Sequence, residues 1–414
     1  MEIRLLCIVI GRRAKKALEE ARTRVARAIG CRNKEIYFTS GGSESDNIAV
    51  KGVAFANREK GNHIITTKIE HPAILNTCRA LESQGFDVTY LNVDKDGLIN
   101  LKELEEFLLS LGEKKFRAKQ IYEWMHIHHV TSFDEMTNLS KNLRETLKEK
   151  ADLIVLEEEL VQISKIDGTR KYLFALADGN MIESVLMKYK HGNSVCVSSQ
   201  VGCRMGCRFC ASTLDGLVRN LTPSEILEQI YRIQESIGER ISNVVVMGSG
   251  EPMDNYDNIV KFIELLTDEH GLHISQRNLT VSTCGLVPRM KQLADLKLQI
   301  TLALSLHASS QEKRKELMPV ANSYELSEVL DACRYYFDKT GRRITFEYSL
   351  VGGVNDTDED AERLVKLVSG MNCHINLIPV NPIKERDYVQ SDHEEILKFK
   401  NKLEKNGINV TIRR

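Results

Sequence analysis

The residues best equipped for chemistry lie in one short run, Gly202-Cys203-Arg-Met-Gly-Cys207-Arg-Phe-Cys210, with cysteines spaced C-x3-C-x2-C. Four of the ten cysteines fall between Cys196 and Cys210. Ten cysteines in 414 residues are too sparse for a disulfide scaffold, and a tight cluster reads as metal or redox chemistry. Three thiolates on one loop can hold three corners of a [4Fe–4S] cube and leave the fourth iron without a protein ligand. An open iron chelates a small molecule through an amino and a carboxylate group, and S-adenosylmethionine supplies both. Electron transfer from the cluster then cleaves the sulfonium and releases a 5′-deoxyadenosyl radical. Zinc is the metal alternative, although structural zinc takes four ligands in paired spacing. Three unrelated core cysteines are the plain alternative.

Polar residues downstream fit a ligand site. Asn243-Val-Val-Val-Met-Gly-Ser-Gly-Glu251-Pro252 reads as a buried strand ending in glycines, where backbone can approach a ligand. Ser282, Ser305-Leu306-His307 and Asn381 stand at or just past the ends of later strands. Singly, each is more often a cap or a turn. Four strand ends after one cysteine cluster favour a site, because a parallel barrel carries its chemistry at the C-terminal ends of its strands. Cys196 alone reads as a buried small hydrophobe beside a strand.

The elements that must position these groups alternate. From Thr222 onward helical stretches separate six short strands: Asn243 to Met247, Leu279 to Ser282, Gln299 to Ser305, Arg343 to Ser349, His374 to Ile378 and Asn409 to Ile412. That order predicts a parallel barrel or partial barrel. Residues 153 to 190 read as β-strands turning at Gly168 and Gly179, and Glu113 to Lys150 as a basic helical stretch. Farther upstream, residues 11 to 30 have helical spacing, Glu35 to Thr39 and His63 to Thr67 read as strands, and Ser40 to Asn47 runs into a helix. This is a piece of an α/β layer.

Lys plus Arg number 57 and Asp plus Glu 58, a net charge of −1. That balance argues against coating nucleic acid by bulk charge and leaves room for a local basic patch. The apolar run Leu5 to Ile10 is too short for a membrane span or a signal core, and arginines follow it. A cytoplasmic chain with no membrane partner is expected.

From about Leu104 to Arg414 the chain resembles the RlmN-type radical S-adenosylmethionine RNA methyltransferases. The resemblance rests on Phe116-Arg-Ala-Lys-Gln-Ile-Tyr-Glu-Trp124, Cys196-Val-Ser-Ser-Gln-Val-Gly-Cys203, the C-x3-C-x2-C, Gly250-Glu251-Pro252, Ser305-Leu-His307 and Asn376-Leu-Ile-Pro-Val-Asn381-Pro. It implies methylation of adenosine at C2 in 23S rRNA and tRNA. Cfr-type enzymes, which methylate adenine at C8, are the close relatives. The implied cofactors are a [4Fe–4S] cluster on Cys203, Cys207 and Cys210, and S-adenosylmethionine held by Gly250, Glu251, Ser282, Ser305, Leu306, His307 and Asn381. Glu183 matches the proton acceptor, and Cys196 the thiol that resolves a protein–RNA adduct. The family route methylates a carrier cysteine near the C-terminus, and the radical then removes hydrogen from that methyl group. A disulfide bond and an electron donor such as flavodoxin are further implications. The basic stretch from Glu113 suits phosphate contacts, and the target adenine must be unstacked to reach a buried site.

The implied fold class is α/β: a radical SAM partial (β/α)6 barrel with a small helical and β N-terminal module, preceded by a fragment of a PLP-transferase α/β layer. The expected organisation is 1–105 desulfurase-like fragment, 106–150 helical RNA-binding module, 151–190 β-rich connector and 191–414 partial barrel. The fragment, about 11 to 105, resembles the pyridoxal-phosphate cysteine desulfurases. Thr39-Ser-Gly-Gly-Ser-Glu-Ser-Asp-Asn47 resembles their phosphate-cradling turn, and His71 their ring-stacking histidine. The Schiff-base lysine, pyridine-binding aspartate and catalytic-cysteine segments have no counterpart, so neither pyridoxal phosphate nor desulfurase activity is expected. The chain reads as a fusion of two incomplete genes, and a partial layer is expected to expose apolar surface.

Two departures from the methyltransferase pattern matter. The Gly-Ala-Cys-Gly-Gln-type carrier segment is not found, and Cys284, Cys333 and Cys373 lie in other contexts. Ser249 stands where the family commonly has Met. The expectation is a chain that binds the cluster and cofactor but does not methylate by the family route. A non-catalytic RNA- and cofactor-binding remnant is therefore the second reading. Sulfur transfer by the N-terminal fragment is the third.

Overall fold

The computed structural model describes residues 16–59, 61–67, 72–91, 101–190 and 192–413. Its contacts divide the chain into two units, Met1–Lys115 and Phe116–Arg414. His71 and the run Leu5 to Ile10 lie outside the described residues.

The first unit carries helix α1 (16–28), α2 (Gly42–Asn57), β1 (His63–Thr67), α3 (Pro72–Glu82), β2 (Asp87–Leu91) and α4 (Leu101–Ser110). β1 and β2 pair in parallel, with α3 as the crossover that parallel strands require. Phe86 is buried against the edge of Phe55, with centroids 5.5 Å apart. The layer is thinly covered: α2 buries none of its residues, and Ile48, Val53 and Phe55 are exposed. The strand expected over Glu35 to Thr39 does not form. A 3-10 turn, Asn33–Glu35, overlaps it only at Glu35, and 36–39 are neither strand nor helix. The described sheet in this unit has only β1 and β2, so those backbone groups have no ladder to join.

The second unit opens with α5 (Phe116–His126), a 3-10 turn at Phe133–Glu135, and α6 (Lys141–Lys150). Leu143 and Leu147 bury one face of α6, and the Ser140 side chain accepts from Leu143 N–H at the start. Then come β3 (Glu157–Ile163), β4 (Arg170–Ala175), β5 (Met181–Tyr189) and β6 (Gly192–Val197), an antiparallel meander.

β6 turns the meander into a barrel strand. It pairs in parallel with β9 (Ile241–Val246), Cys196 opposite Val245. β10 (Leu279–Thr283), β11 (Thr301–Ser305), β12 (Ile344–Leu350), β13 (Cys373–Pro379) and β14 (Asn409–Ile412) follow, each parallel to its neighbour. All six expected strands are present. β6 is a seventh, and it lacks a preceding helix to flag it in the sequence. The sheet order is β14-β13-β12-β11-β10-β9-β6-β5-β4-β3, open at both ends, as a partial barrel requires. Helices α7 (Pro223–Ile237), α8 (Tyr256–Thr267), α9 (Val287–Asp295), α10 (Gln311–Leu317), α11 (Leu326–Thr340), α12 (Asp358–Val368) and α13 (His393–Lys405) alternate with these strands.

α7 shows how sequence sets such a crossover. Thr222 and Glu225 form a reciprocal capping box, Pro223 opens the first turn, and Gly238 closes the last in the left-handed conformation. Ile226, Ile230 and Ile233 then present one buried face to the sheet. β12 is buried along its whole length, as a parallel strand covered on both faces must be. No described helix is long and apolar enough to cross a membrane.

Candidate active site

The cysteine loop is clasped at its base. β7 (Gln200–Gly202) pairs antiparallel with β8 (Leu217–Asn220), and Cys203 N–H donates to the Gly216 carbonyl at 2.8 Å. Gly202 has φ +72°, and a Cβ there would collide with that carbonyl. Within the loop, Cys210 N–H donates to the Cys207 carbonyl at 3.1 Å. Thr213 Oγ1 donates to the Cys210 and Cys207 carbonyls at 2.9 and 3.1 Å. Arg208 N–H reaches the Leu317 carbonyl of α10 at 2.9 Å. Arg204 and Asp254 form a two-point ion pair that holds the loop to the segment after β9.

These ties bring the loop to the C-terminal ends of β9, β10 and β11. A cavity of about 210 Å³ there is lined by Cys203, Cys207 and Cys210 together with Gly250, Glu251, Ser282, Ser305 and His307. Met247, Phe209 and Cys284 complete the apolar side of its wall. Eight of the twelve expected site residues therefore share one cavity.

Glu251 is buried and held at both oxygens. Oε1 accepts from Met253 N–H at 3.0 Å and Oε2 from Cys284 N–H at 2.7 Å. Burial raises its pKa, while the Cys284, Thr283 and Met253 donors oppose that shift. Gly250, φ +105°, packs so closely that a Cβ would stand 2.6 Å from Gln200 Cβ. Ser282 and Ser305 face each other with oxygens 3.4 Å apart. His307 adopts φ +53°, a conformation that persists only where its surroundings enforce it. Its Nδ1 accepts from Ser349 N–H at 2.9 Å and its carbonyl accepts from Asn355 Nδ2 at 2.7 Å. Burial pushes its pKa down to about 3, with the Arg314 charge adding to that shift, so the ring is neutral.

The thiols suit a multinuclear centre. Burial raises Cys203 to about 11 and Cys207 to about 12, and each would feel the other thiolates. Metal coordination removes such protons outright. Among the described residues no group of three His, Cys, Asp or Glu side chains could hold one metal ion together. Three thiols around one cavity suit a cluster, in which each takes its own iron, whereas structural zinc takes four ligands.

Four expected residues stand elsewhere. Leu306 is fully buried in the core and offers only backbone, its N–H donating to the Glu347 carbonyl at 3.0 Å. Asn381 lines a different cavity, about 440 Å³, with Ile378, Ser391 and Arg413. Glu183 lies exposed on β5, paired with Lys171 of β4 at 2.5 Å. Cys196 is half-buried on β6; burial raises its pKa to about 11, opposed by the Met247 N–H that its sulfur accepts. No disulfide joins any of the described cysteines, which corrects the expected disulfide bond.

Several residues of the site are not legible in the sequence. Gln200 bonds Glu251 N–H, Asn220 and Asp254. Asn255 donates to the Ser199 and Leu221 carbonyls, both at 2.8 Å. Asn355 and Arg314 support His307 and Cys284 from the α12 and α10 segments. In the first unit, the Ser40 N–H and hydroxyl are both taken by the Glu44 carboxylate. The turn expected to cradle phosphate is thus filled by an anion of its own.

Comparison with known proteins agrees with this geometry. The profile described as Radical SAM superfamily matches residues 197–368. Ribosomal RNA large subunit methyltransferase N-terminal domain matches 98–153, and Aminotransferase class-V matches 8–114. The last supports a separate N-terminal fragment. The probable dual-specificity RNA methyltransferase RlmN of Lachnospira eligens is 70% identical over 316 residues, 76% of this chain and 90% of that protein. Its namesake from Clostridium novyi is 58% identical over 314 residues, 76% of this chain and 92% of that protein. The crystal structure of a radical SAM methyltransferase from Sphaerobacter thermophilus superposes with TM-score 0.73 at 42% identity, covering 76% of this chain and 93% of that one. With the cysteine cavity at the strand ends, these likenesses establish that the chain belongs to the RlmN family of radical SAM RNA methyltransferases.

Proposed function

We propose that the second unit carries the site for methylating adenosine at C2 in 23S rRNA and tRNA, that transfer needs a methyl carrier in place of the Gly-Ala-Cys-Gly-Gln-type segment not found in the sequence, and that its site residues divide the work by position. The cofactors of the family chemistry are a [4Fe–4S] cluster and S-adenosylmethionine. The observation that carries the proposal is the single cavity shared by three cysteines, Glu251, Ser282, Ser305 and His307. Cys203, Cys207 and Cys210 would hold the cluster, which when bound would supply the electron for cleaving the cofactor's sulfonium. Gly250 and Glu251 take the cofactor's amino end: a buried carboxylate with both oxygens anchored is a preformed partner for an ammonium. Ser282, Ser305 and His307 line the remainder, and the family match adds the Leu306 backbone and Asn381, which lines the separate cavity past β13. Neutral His307 adds a ring without adding charge.

Cys196 and Glu183 serve the later steps, adduct resolution and proton acceptance. They occupy adjacent strands, with Cys196 opposite Val185, two residues beyond Glu183. Lys and Arg of the 113–150 module contact RNA phosphates. The reaction takes place in the cytoplasm, fed by a one-electron carrier of the flavodoxin kind.

The test is anaerobic incubation of reconstituted protein with reductant, S-adenosylmethionine and an unmodified 23S rRNA fragment, read by mass spectrometry of nucleosides. 2-Methyladenosine is the product of the family route, and its formation would mean that another group of the chain carries the methyl. 8-Methyladenosine would assign the chain to the Cfr type. Cofactor cleavage with RNA binding but no methylated base would favour the non-catalytic remnant. A pyridoxal absorbance band after adding pyridoxal phosphate would revive the sulfur-transfer reading.

A further inference from the structure

Arg314 is the largest fully buried side chain among the described residues. It belongs to α10 and is not among the residues that line the cysteine cavity. Its Nη2 donates to the Cys284 carbonyl at 2.6 Å, while Nε and Nη1 find no hydrogen-bond partner. Among the described residues no carboxylate pairs with it. The Arg204, Arg219, Arg232, Arg334 and Arg363 guanidiniums each have an ion-pair partner. Cys284, whose carbonyl it holds, and Leu317 of its own helix pack together with Cys207 and Phe209 of the cysteine loop, so the Arg314 charge acts on the thiols of Cys207, Cys284 and Cys333 and on the ring of His307. Burial lowers its pKa, yet a guanidinium keeps its proton in a protein. A buried, unpaired positive charge is costly unless negative charge lies close by. In the site described, that charge is the Cys207 thiolate and the cluster it ligates.

We propose that Arg314 is the built-in counter-charge of the iron–sulfur site, stabilising the negative charge that one-electron reduction adds behind Cys207. The proposal rests on the cysteine assignment made above. The electron comes from an external one-electron donor, and no proton or bond is exchanged with Arg314. Because the guanidinium does not reach the cavity, it is a positioning residue and not a catalytic one. Its fixed charge favours the reduced state over the oxidised one, so it raises the reduction potential of the site. The Cys284 carbonyl holds it in register, and Gly285 leaves room: a Cβ there would stand 3.2 Å from Arg314 Nη2.

The test uses the full chain, reconstituted anaerobically with iron and sulfide. Dithionite serves as the donor, and the reduced fraction is followed by electron paramagnetic resonance at controlled potential. Arg314→Gln retains a donor for the Cys284 carbonyl without the charge, Arg314→Lys retains a charge, and Lys315→Met removes a half-buried charge, paired with Glu325, on the same helix. At a fixed potential, Arg314→Gln is expected to lower the reduced-to-oxidised ratio about tenfold, a shift of about −59 mV for one electron. Arg314→Lys is expected to stay within about threefold of the parent, roughly half that interval, and Lys315→Met to match the parent. An unchanged midpoint in iron-loaded Arg314→Gln would overturn the proposal. Loss of iron from Arg314→Gln alone would support it. Loss from both Gln and Lys variants would overturn it, because a positive charge would then not suffice. Failure of the parent to bind iron would instead refute the cysteine assignment.

Discussion

Gln200 and Glu251, fifty-one positions apart, are joined by a buried 2.8 Å hydrogen bond from the Glu251 backbone N–H to Gln200 Oε1. Gln200 Nε2 donates in turn to Asn220 and Asp254. One side chain thus ties the cysteine loop, the β8 return and the end of β9 into a single frame. Gln200→Leu is expected to leave the buried Glu251 N–H without its partner, while Asp254 keeps Arg204 and Asn220 is exposed to water. A buried orphan costs about 1–3 kcal/mol. Denaturant unfolding should show that loss, and iron uptake should slow.

Gly250→Ala tests close approach at the strand end. The new Cβ would meet Gln200 2.6 Å away, at a φ of +105° that L side chains rarely adopt. A cost of about 1–3 kcal/mol is expected. S-adenosylmethionine affinity should fall by about tenfold or more, since each tenfold is about 1.4 kcal/mol. Equilibrium binding to reconstituted protein measures it.

Glu183→Gln separates the proposed proton acceptor from the scaffold. Glu183 is exposed and its partner is Lys171 on the neighbouring strand. Loss of that surface pair should change stability by less than about 0.5 kcal/mol. Iron content and cofactor cleavage should match the parent, while formation of 2-methyladenosine should fall. Equal product from both proteins would remove Glu183 from the chemistry.

His129 gives a prediction about pH. It is buried and stacked on Tyr231, with centroids 4.3 Å apart. Burial, with the Arg232 charge adding to the effect, lowers its pKa to about 4. The folded value lies below the unfolded value of about 6.5, so the unfolded chain takes up this proton first. The histidine therefore supports the fold fully above about pH 6.5 and loses that support as pH falls towards 4. Relative to His129→Gln, the parent should lose up to about 1.4 kcal/mol of stability per pH unit across that window. Paired denaturation curves at pH 7 and 5 check it; a constant difference between the proteins would contradict it.

The parts of this molecule that were legible in sequence are those written in short-range pattern. The C-x3-C-x2-C spacing, the glycines before Glu251 and the serines at strand ends each carry their meaning within a few residues. The six alternating strands from β9 to β14 are legible because helical and extended periods differ. β6 was not, since it arrives from a hairpin and joins the parallel set only through pairing with β9, some fifty residues on. Gln200, Asn355 and Arg314 are ordinary polar residues in the sequence, and only contacts 30 to 51 positions away give them a role. The strand read at Glu35 to Thr39 fails for the converse reason: its local pattern suits a ladder that the described fragment does not contain.

The most direct test of the account is release of 5′-deoxyadenosine from S-adenosylmethionine by the anaerobically reconstituted, dithionite-reduced protein. The account predicts release that requires reductant and disappears, together with bound iron, when Cys203, Cys207 and Cys210 are all replaced by Ala. A protein carrying its full iron complement that leaves the cofactor intact would contradict it, as would a triple variant that keeps its iron.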